Sequence, residues 1–146
     1  STSDSTVGNT DGCTTYYEHE TGNNQIKAGT ATAITANIQS GDFDLGVQGN
    51  LQGDTNAGEV MMKIRRVLPD FLTQTGTTRV TLNLKNYPTD SEASSSLGPF
   101  DITSSTDKID TRARARAIAL KISNTGVAQH WKVGTFRLDI QPDGRR

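Results

Sequence analysis

The sequence is short of cysteine, histidine, proline, aromatic residues and net charge: it has one Cys, two His and four Pro in 146 residues, 5% aromatics, and a formal charge of -1. Each scarcity removes a class of protein. Cys13 has no second thiol to pair with, which excludes an internal disulfide and any dependence of the fold on an oxidising compartment. Nothing near Cys13 offers the base or cation that would activate a thiol, so it reads as an incidental small residue. Charge near zero counts against a dedicated DNA-binding module, which carries a basic excess on one face. No apolar run approaches the ~20 residues of a membrane span, and Ser1-Thr2-Ser3-Asp4 lacks the cationic and apolar regions of a signal peptide. The start also lacks Met, as expected of a piece of something longer. Also missing are a Gly-x-Ser-x-Gly elbow, a phosphate-cradling Gly-Lys-Ser/Thr loop and a dinucleotide fingerprint.

What is present is a lean core under a polar coat. Hydrophobic residues reach 32%, and Thr, Ser, Asn, Gly and Asp dominate the rest. Strands joined by turns draw on Thr, Val and Ile with Gly, Asn and Asp, whereas helices draw on Ala, Leu, Glu, Lys and Gln. A domain of this length buries roughly 70% of the surface its unfolded chain exposes, so it can hold a core without staples. The expectation is an all-β, antiparallel, jelly-roll-like sandwich over residues 26–146, with long polar loops and an extended polar N-terminal arm or linker over residues 1–25.

The strands are placed by period-two spacing. Ile26, Ala28, Ile34, Ala36 and Ile38 share one parity and predict two strands or one long one, before a loop that runs to Gly58. Val60, Met62 and Ile64 predict a strand ended at Leu68-Pro69-Asp70, with some helical spacing over residues 60–68 as the alternative. Val80, Leu82 and Leu84 form the cleanest amphipathic strand. Residues 89–98 read as a Ser-rich loop, Phe100 and Ile102 as a short edge strand, and residues 112–122 as the longest regular stretch. Trp131, Val133, Phe136, Leu138 and Ile140 supply the last two strands, before a turn at Gln141-Pro142-Asp143-Gly144.

Few residues invite chemistry. His19 lies between Glu18 and Glu20, but adjacent strand residues point to opposite faces and do not converge on one ion. His130 has no serine or cysteine motif to activate and reads as a strand-edge residue. Asp42 and Asp44, with Asn50, Asp54 and Asn56 beyond them, resemble an oxygen-rich calcium loop, although not in the order of an EF-hand. Phe43 and Leu45, alternating with the acids, suggest instead an exposed strand and loop with the acids outward. The aromatic shortage also leaves little for a glycosidase to stack a sugar on.

The one concentrated feature is Arg112-Ala113-Arg114-Ala115-Arg116-Ala117. In a single strand the three guanidinium groups stand in a row about 7 Å apart, with the alanines as a flat opposite face. The row shares parity with Ile118, Leu120 and Ile122, which is awkward for one uniform core: either a bulge resets the phase near Ala117, or the arginine end runs beyond its own core. Arg112, Arg114 and Arg116 are therefore candidates for pairing with acids such as Asp107, Asp110 or Asp139, for a subunit contact, or for contact with an anion.

The closing segments Arg114-Ala115-Arg116-Ala117-Ile118-Ala119-Leu120-Lys121-Ile122, Trp131-Lys132-Val133-Gly134 and Arg137-Leu138-Asp139-Ile140-Gln141-Pro142-Asp143-Gly144-Arg145-Arg146 resemble the C-terminal end of large bacteriophage virion proteins. The family they look most similar to is the tail nozzle, or tail tubular protein B, group. Ser40-Gly41-Asp42-Phe43-Asp44 and Arg65-Arg66-Val67-Leu68-Pro69-Asp70-Phe71 look like further parts of the same ending. The chain departs at Ala115, where related endings tend to have glycine. The resemblance implies a non-enzymatic β-rich structural module in the virion, without a cofactor, at the end of a longer chain. Its partners would be copies of itself in a ring and other virion proteins, with DNA only as cargo. The alternative is a carbohydrate-binding sandwich for a host surface glycan, with Tyr16, Tyr17, Tyr87 or Trp131 as the sugar platform and the loop of Asp42 and Asp44 as a calcium site.

Overall fold

The computed structural model describes residues 22–27, 30–45, 60–87, 89–90 and 95–145, so all but the end of the expected arm lies outside the described residues. The described chain forms strands β1 (Asn24–Lys27), β2 (Thr30–Ala33), β3 (Ala36–Gln39), β4 (Val60–Leu68), β5 (Phe71–Thr75), β6 (Thr78–Lys85), β7 (Ser96–Ile102), β8 (Ile109–Ala115), β9 (Ala117–Asn124), β10 (His130–Val133) and β11 (Arg137–Arg145). Among the described residues there is no helix, and residues 60–68 are a strand.

One long ribbon organises the molecule. β4, β5 and β6 follow one another and pair, antiparallel throughout, with β11, β10 and β9 in turn. The ribbon is folded across itself, so β4 and β11 lie in a three-stranded sheet ordered β11-β4-β8, and β6 and β9 in a four-stranded sheet ordered β3-β9-β6-β7. β1 and β2 make a separate hairpin. The two larger sheets pack face to face as an antiparallel β-sandwich. Met62, Ile64, Val67, Ala113 and Ala115 of the first sheet meet Val80, Leu82, Ile102, Ile118 and Ile122 of the second in one aliphatic core.

The fold-over is stitched by polar and aromatic contacts. At its first corner the Gly134 amide donates to the Asp70 carbonyl (2.8 Å), and Phe71 meets Phe136 edge to face with ring centroids 5.4 Å apart. At the second corner the Gln74 amide donates to the Ile102 carbonyl (2.7 Å) and to the Thr78 hydroxyl (3.2 Å). Nearby the Trp131 indole N–H donates to Oδ1 of buried Asn124 (3.0 Å).

Four expectations need correction. The stretch 112–122 is two strands in different sheets: β8 ends at Ala115, β9 begins at Ala117, and Arg116 alone carries the chain across. The expected turn at residues 141–144 lies inside β11, an edge strand, where a missing amide at Pro142 breaks no interior ladder and Gly144 (φ 84°) takes up a register shift. The loop over residues 89–98 gives way at Ser96 to β7, longer than the short strand expected at Phe100 and Ile102. Gly98 is required there: its φ is 113°, and a Cβ would lie 2.9 Å from the Val80 carbonyl oxygen. Finally, the segment from Ile26 forms three short strands, and Ile34 and Ile38 stay 43% and 54% exposed.

Burial gives a direct test of the core. Leu82 is fully buried and Leu72 is 64% exposed. Leu82→Ala should cost about 2–5 kcal/mol, through lost apolar transfer and the cavity left behind. Leu72→Ala should stay within about 0.5 kcal/mol. Urea midpoints at unchanged slope measure both.

Candidate interface on the arginine-bearing sheet

The β11-β4-β8 sheet turns one face to the core and one outward, and alternation decides which side chains go where. In β8, Ile109, Thr111, Ala113 and Ala115 are buried, while Asp110, Arg112 and Arg114 are exposed. Ala115 is fully enclosed between the sheets, where a glycine would leave a methyl-sized gap. Arg116 does not continue the row. It is half-buried at the joint, and its amide donates to the Lys85 carbonyl (3.1 Å), so the phase resets and Ile118 and Ile122 face inward.

β4 adds cations through a bulge. The register shifts between Ile64 and Arg66, and the buried set changes from Met62 and Ile64 to Val67. Two consecutive residues, Arg65 and Arg66, therefore escape the core. The Thr111 hydroxyl donates to the Ile64 carbonyl (3.1 Å) at this irregular point. The pairings Lys63 with Arg114, Lys63 with Gln141 and Arg66 with Asp139 place all three strands' polar side chains on one outward face. Among the described residues that face carries Lys63, Arg65, Arg66, Arg112, Arg114 and Arg137 against Asp110, Asp139 and Asp143.

Ion pairs neutralise part of it. Arg66 Nε lies 3.0 Å and Lys108 Nζ 3.5 Å from the Asp110 carboxylate. Arg114 Nε lies 2.6 Å from the Asp143 carboxylate, and the same guanidinium donates to the Asp143 carbonyl (3.2 Å). Of the acids anticipated for the arginine row, Asp110 serves Arg66, and Arg114 takes Asp143 instead. Among the described residues Lys63, Arg65, Arg112 and Arg137 have no carboxylate within 4 Å. The pairs that do form are solvated, worth about 0–1 kcal/mol each, so they do not lock the face. A cationic sheet face with no aromatic between its arginines suits an acidic surface better than stacked bases.

The remaining candidates are dispersed. Asp42 pairs with Lys85 (2.8 Å), Asp44 points outward, and Phe43 and Leu45 pack on the core, with Phe43 bridged to Ile118. Asn50, Asp54 and Asn56 lie outside the described residues, as do Cys13, Tyr16, Tyr17 and His19. Among the described residues no three His, Cys, Asp or Glu side chains gather as a metal site. Tyr87 lies two residues beyond the end of β6, whereas Trp131 pairs with Gln74 near its start, so the two do not form one sugar platform. His130 is exposed, with Nδ1 3.3 Å from the Asn23 side-chain nitrogen. Comparisons with protein-family models, curated proteins and solved structures find no match.

The cations that sequence reasoning missed are Lys63, Arg65, Arg66 and Arg137. The doublet Arg65-Arg66 inside an alternating apolar strand is the signal that could have exposed a bulge.

Asp110 carries a pH signature. Hydrogen bonding from Arg66, helped by Lys108, holds its carboxyl below the ordinary aspartate range. A depressed folded-state value gives stability that is present above the ordinary aspartate range and is lost as pH falls through the folded value. Carboxyl-carbon NMR should therefore show Asp110 titrating below a typical aspartate, and Arg66→Gln should return it toward 3.8.

Proposed function

We propose that this chain is a non-enzymatic structural module of a bacteriophage virion, from the tail nozzle or tube, that makes subunit contacts through the arginine-bearing face of β11-β4-β8. The observation that carries the proposal is the excess of cations on that face, four of them without a carboxylate partner among the described residues. The chain's own charge distribution supplies a complement. Lys27 is the only Lys or Arg before Lys63, whereas Asp4, Asp11, Glu18, Glu20, Asp42, Asp44, Asp54 and Glu59 all precede it. Acidic sequence in one copy and a cationic sheet in the next are mutually attractive, and the pattern repeats from copy to copy. The resemblance of the closing segments to nozzle-type endings agrees with that role, and the genome is cargo of the assembly, not a ligand of this face.

Sedimentation velocity at low and high salt tests the contact. The chain should self-associate at low salt, more weakly at high salt because exposed charges are screened. Arg65→Gln, Arg112→Gln and Arg114→Gln together should raise the dissociation constant by about tenfold or more. A monomer at every salt, or association untouched by the triple substitution, overturns the contact. A virion map that puts the domain away from the tail overturns its placement.

A further inference from the structure

The second sheet also has an outward face, and it differs from the arginine-bearing one. Arg79 stands opposite Ser123 and Asp101, Thr81 opposite Lys121, and Asn83 opposite Ala119 and Ser96, so these side chains share the side of β9-β6-β7 turned away from the core, where Ala119 and Asn83 are nonetheless buried. Arg79, Thr81, Asn83, Ser96, Lys121 and Ser123 line a shallow cleft together with Pro99, where β7 departs from regular pairing after Gly98. Arg79 is neutralised by Asp101 at 3.1 Å, and Lys121 is half-buried with no ion-pair partner among the described residues. The cleft thus holds one uncompensated positive charge, at Lys121.

Its floor is unusual. Asn83 lies on the polar side of an amphipathic strand yet is only 4% exposed, and its side-chain amide has no hydrogen-bond partner among the described residues. A buried amide offers two N–H donors and one carbonyl acceptor, and leaving them unpaired is costly. An ionised carboxylate accepts from the N–H groups but cannot donate to Oδ1. A sugar hydroxyl does both. Around the amide, the hydroxyls of Thr81, Ser96 and Ser123 add reversible donors and acceptors, and Pro99 presents an apolar ring.

We infer that this cleft binds an acidic saccharide: a hydroxyl pair on Asn83, and a carboxylate beside Lys121. The site is separate from the arginine-bearing face, uses none of the tyrosines or Trp131, and needs no calcium. It stands or falls independently of the subunit-contact reading.

The test is an amide NMR titration of the chain with oligogalacturonate, neutral oligogalactose and inorganic phosphate, each with and without chelator. Oligogalacturonate should shift the amides of β6 and β9 around Asn83 and Lys121, unaffected by chelator. Asn83→Ala and, separately, Lys121→Gln should weaken its binding by about tenfold, the size expected for losing a hydrogen bond or charge contact to the ligand. Without ligand, Asn83→Ala should leave the melting temperature unchanged or higher, since it removes an unpaired buried amide; a marked fall would show that the amide holds the fold and would overturn the inference. Absence of shifts with oligogalacturonate, equal binding of phosphate, or binding that needs calcium would each overturn it too. Lys121→Gln, at a half-buried outward position, tests the charge contact independently of the amide.

Discussion

A single layer of aliphatic side chains, shared by two sheets about 10 Å apart, is the constraint to which the rest of the structure answers. Both sheets are cut from the same folded ribbon, so each strand must present its apolar positions inward after the chain has changed sheets. Period two cannot manage that over long stretches without a reset. The chain resets at the Arg65-Arg66 bulge and at the Arg116 crossing. Both resets use arginine, whose stem tolerates a half-buried joint while its head reaches water.

Those resets also sort charge. The bulge adds guanidinium groups to the outward face of one sheet, and the crossing ends the arginine row at Arg114. The other sheet turns out hydroxyls, an amide and one unpaired ammonium. A net charge of -1 thus coexists with two outward faces of different chemistry, and sedimentation and saccharide titration probe them separately.

Alternation made much of the fold legible before any coordinates. Val80, Leu82 and Leu84, Val60 to Ile64, and the edge position of Phe100 and Ile102 follow from period two and turn residues alone. What stayed hidden needed information about distance along the chain. The parity clash in residues 112–122 signals a reset near Ala117, but nothing local says that Ala115 and Ala117 belong to different sheets, because the crossing is set by their pairing with Met62 and Lys85. β11 ran through an apparent turn because Pro142 and Gly144 are tolerated on an edge, and edges are a property of the whole sheet. For the candidate interface, Arg112 and Arg114 were visible as a pair, but Lys63, Arg65, Arg66 and Arg137 join them only through cross-strand register. The Asn83 cleft left no trace in the sequence, since an asparagine on the polar side of a strand looks solvated until its neighbours are placed.

The borders of the sheets have a consequence for how such a molecule meets its neighbours. β11 and β7 each carry a proline and a register shift, β3 is four residues long, and β8 bears Asp110, Arg112 and Arg114. Proline, brevity and charge all discourage a foreign strand from zipping onto an open border. The molecule is thereby steered away from runaway fibre growth. Its outward faces present side-chain chemistry instead of open backbone, cationic on one sheet and hydroxyl-rich on the other.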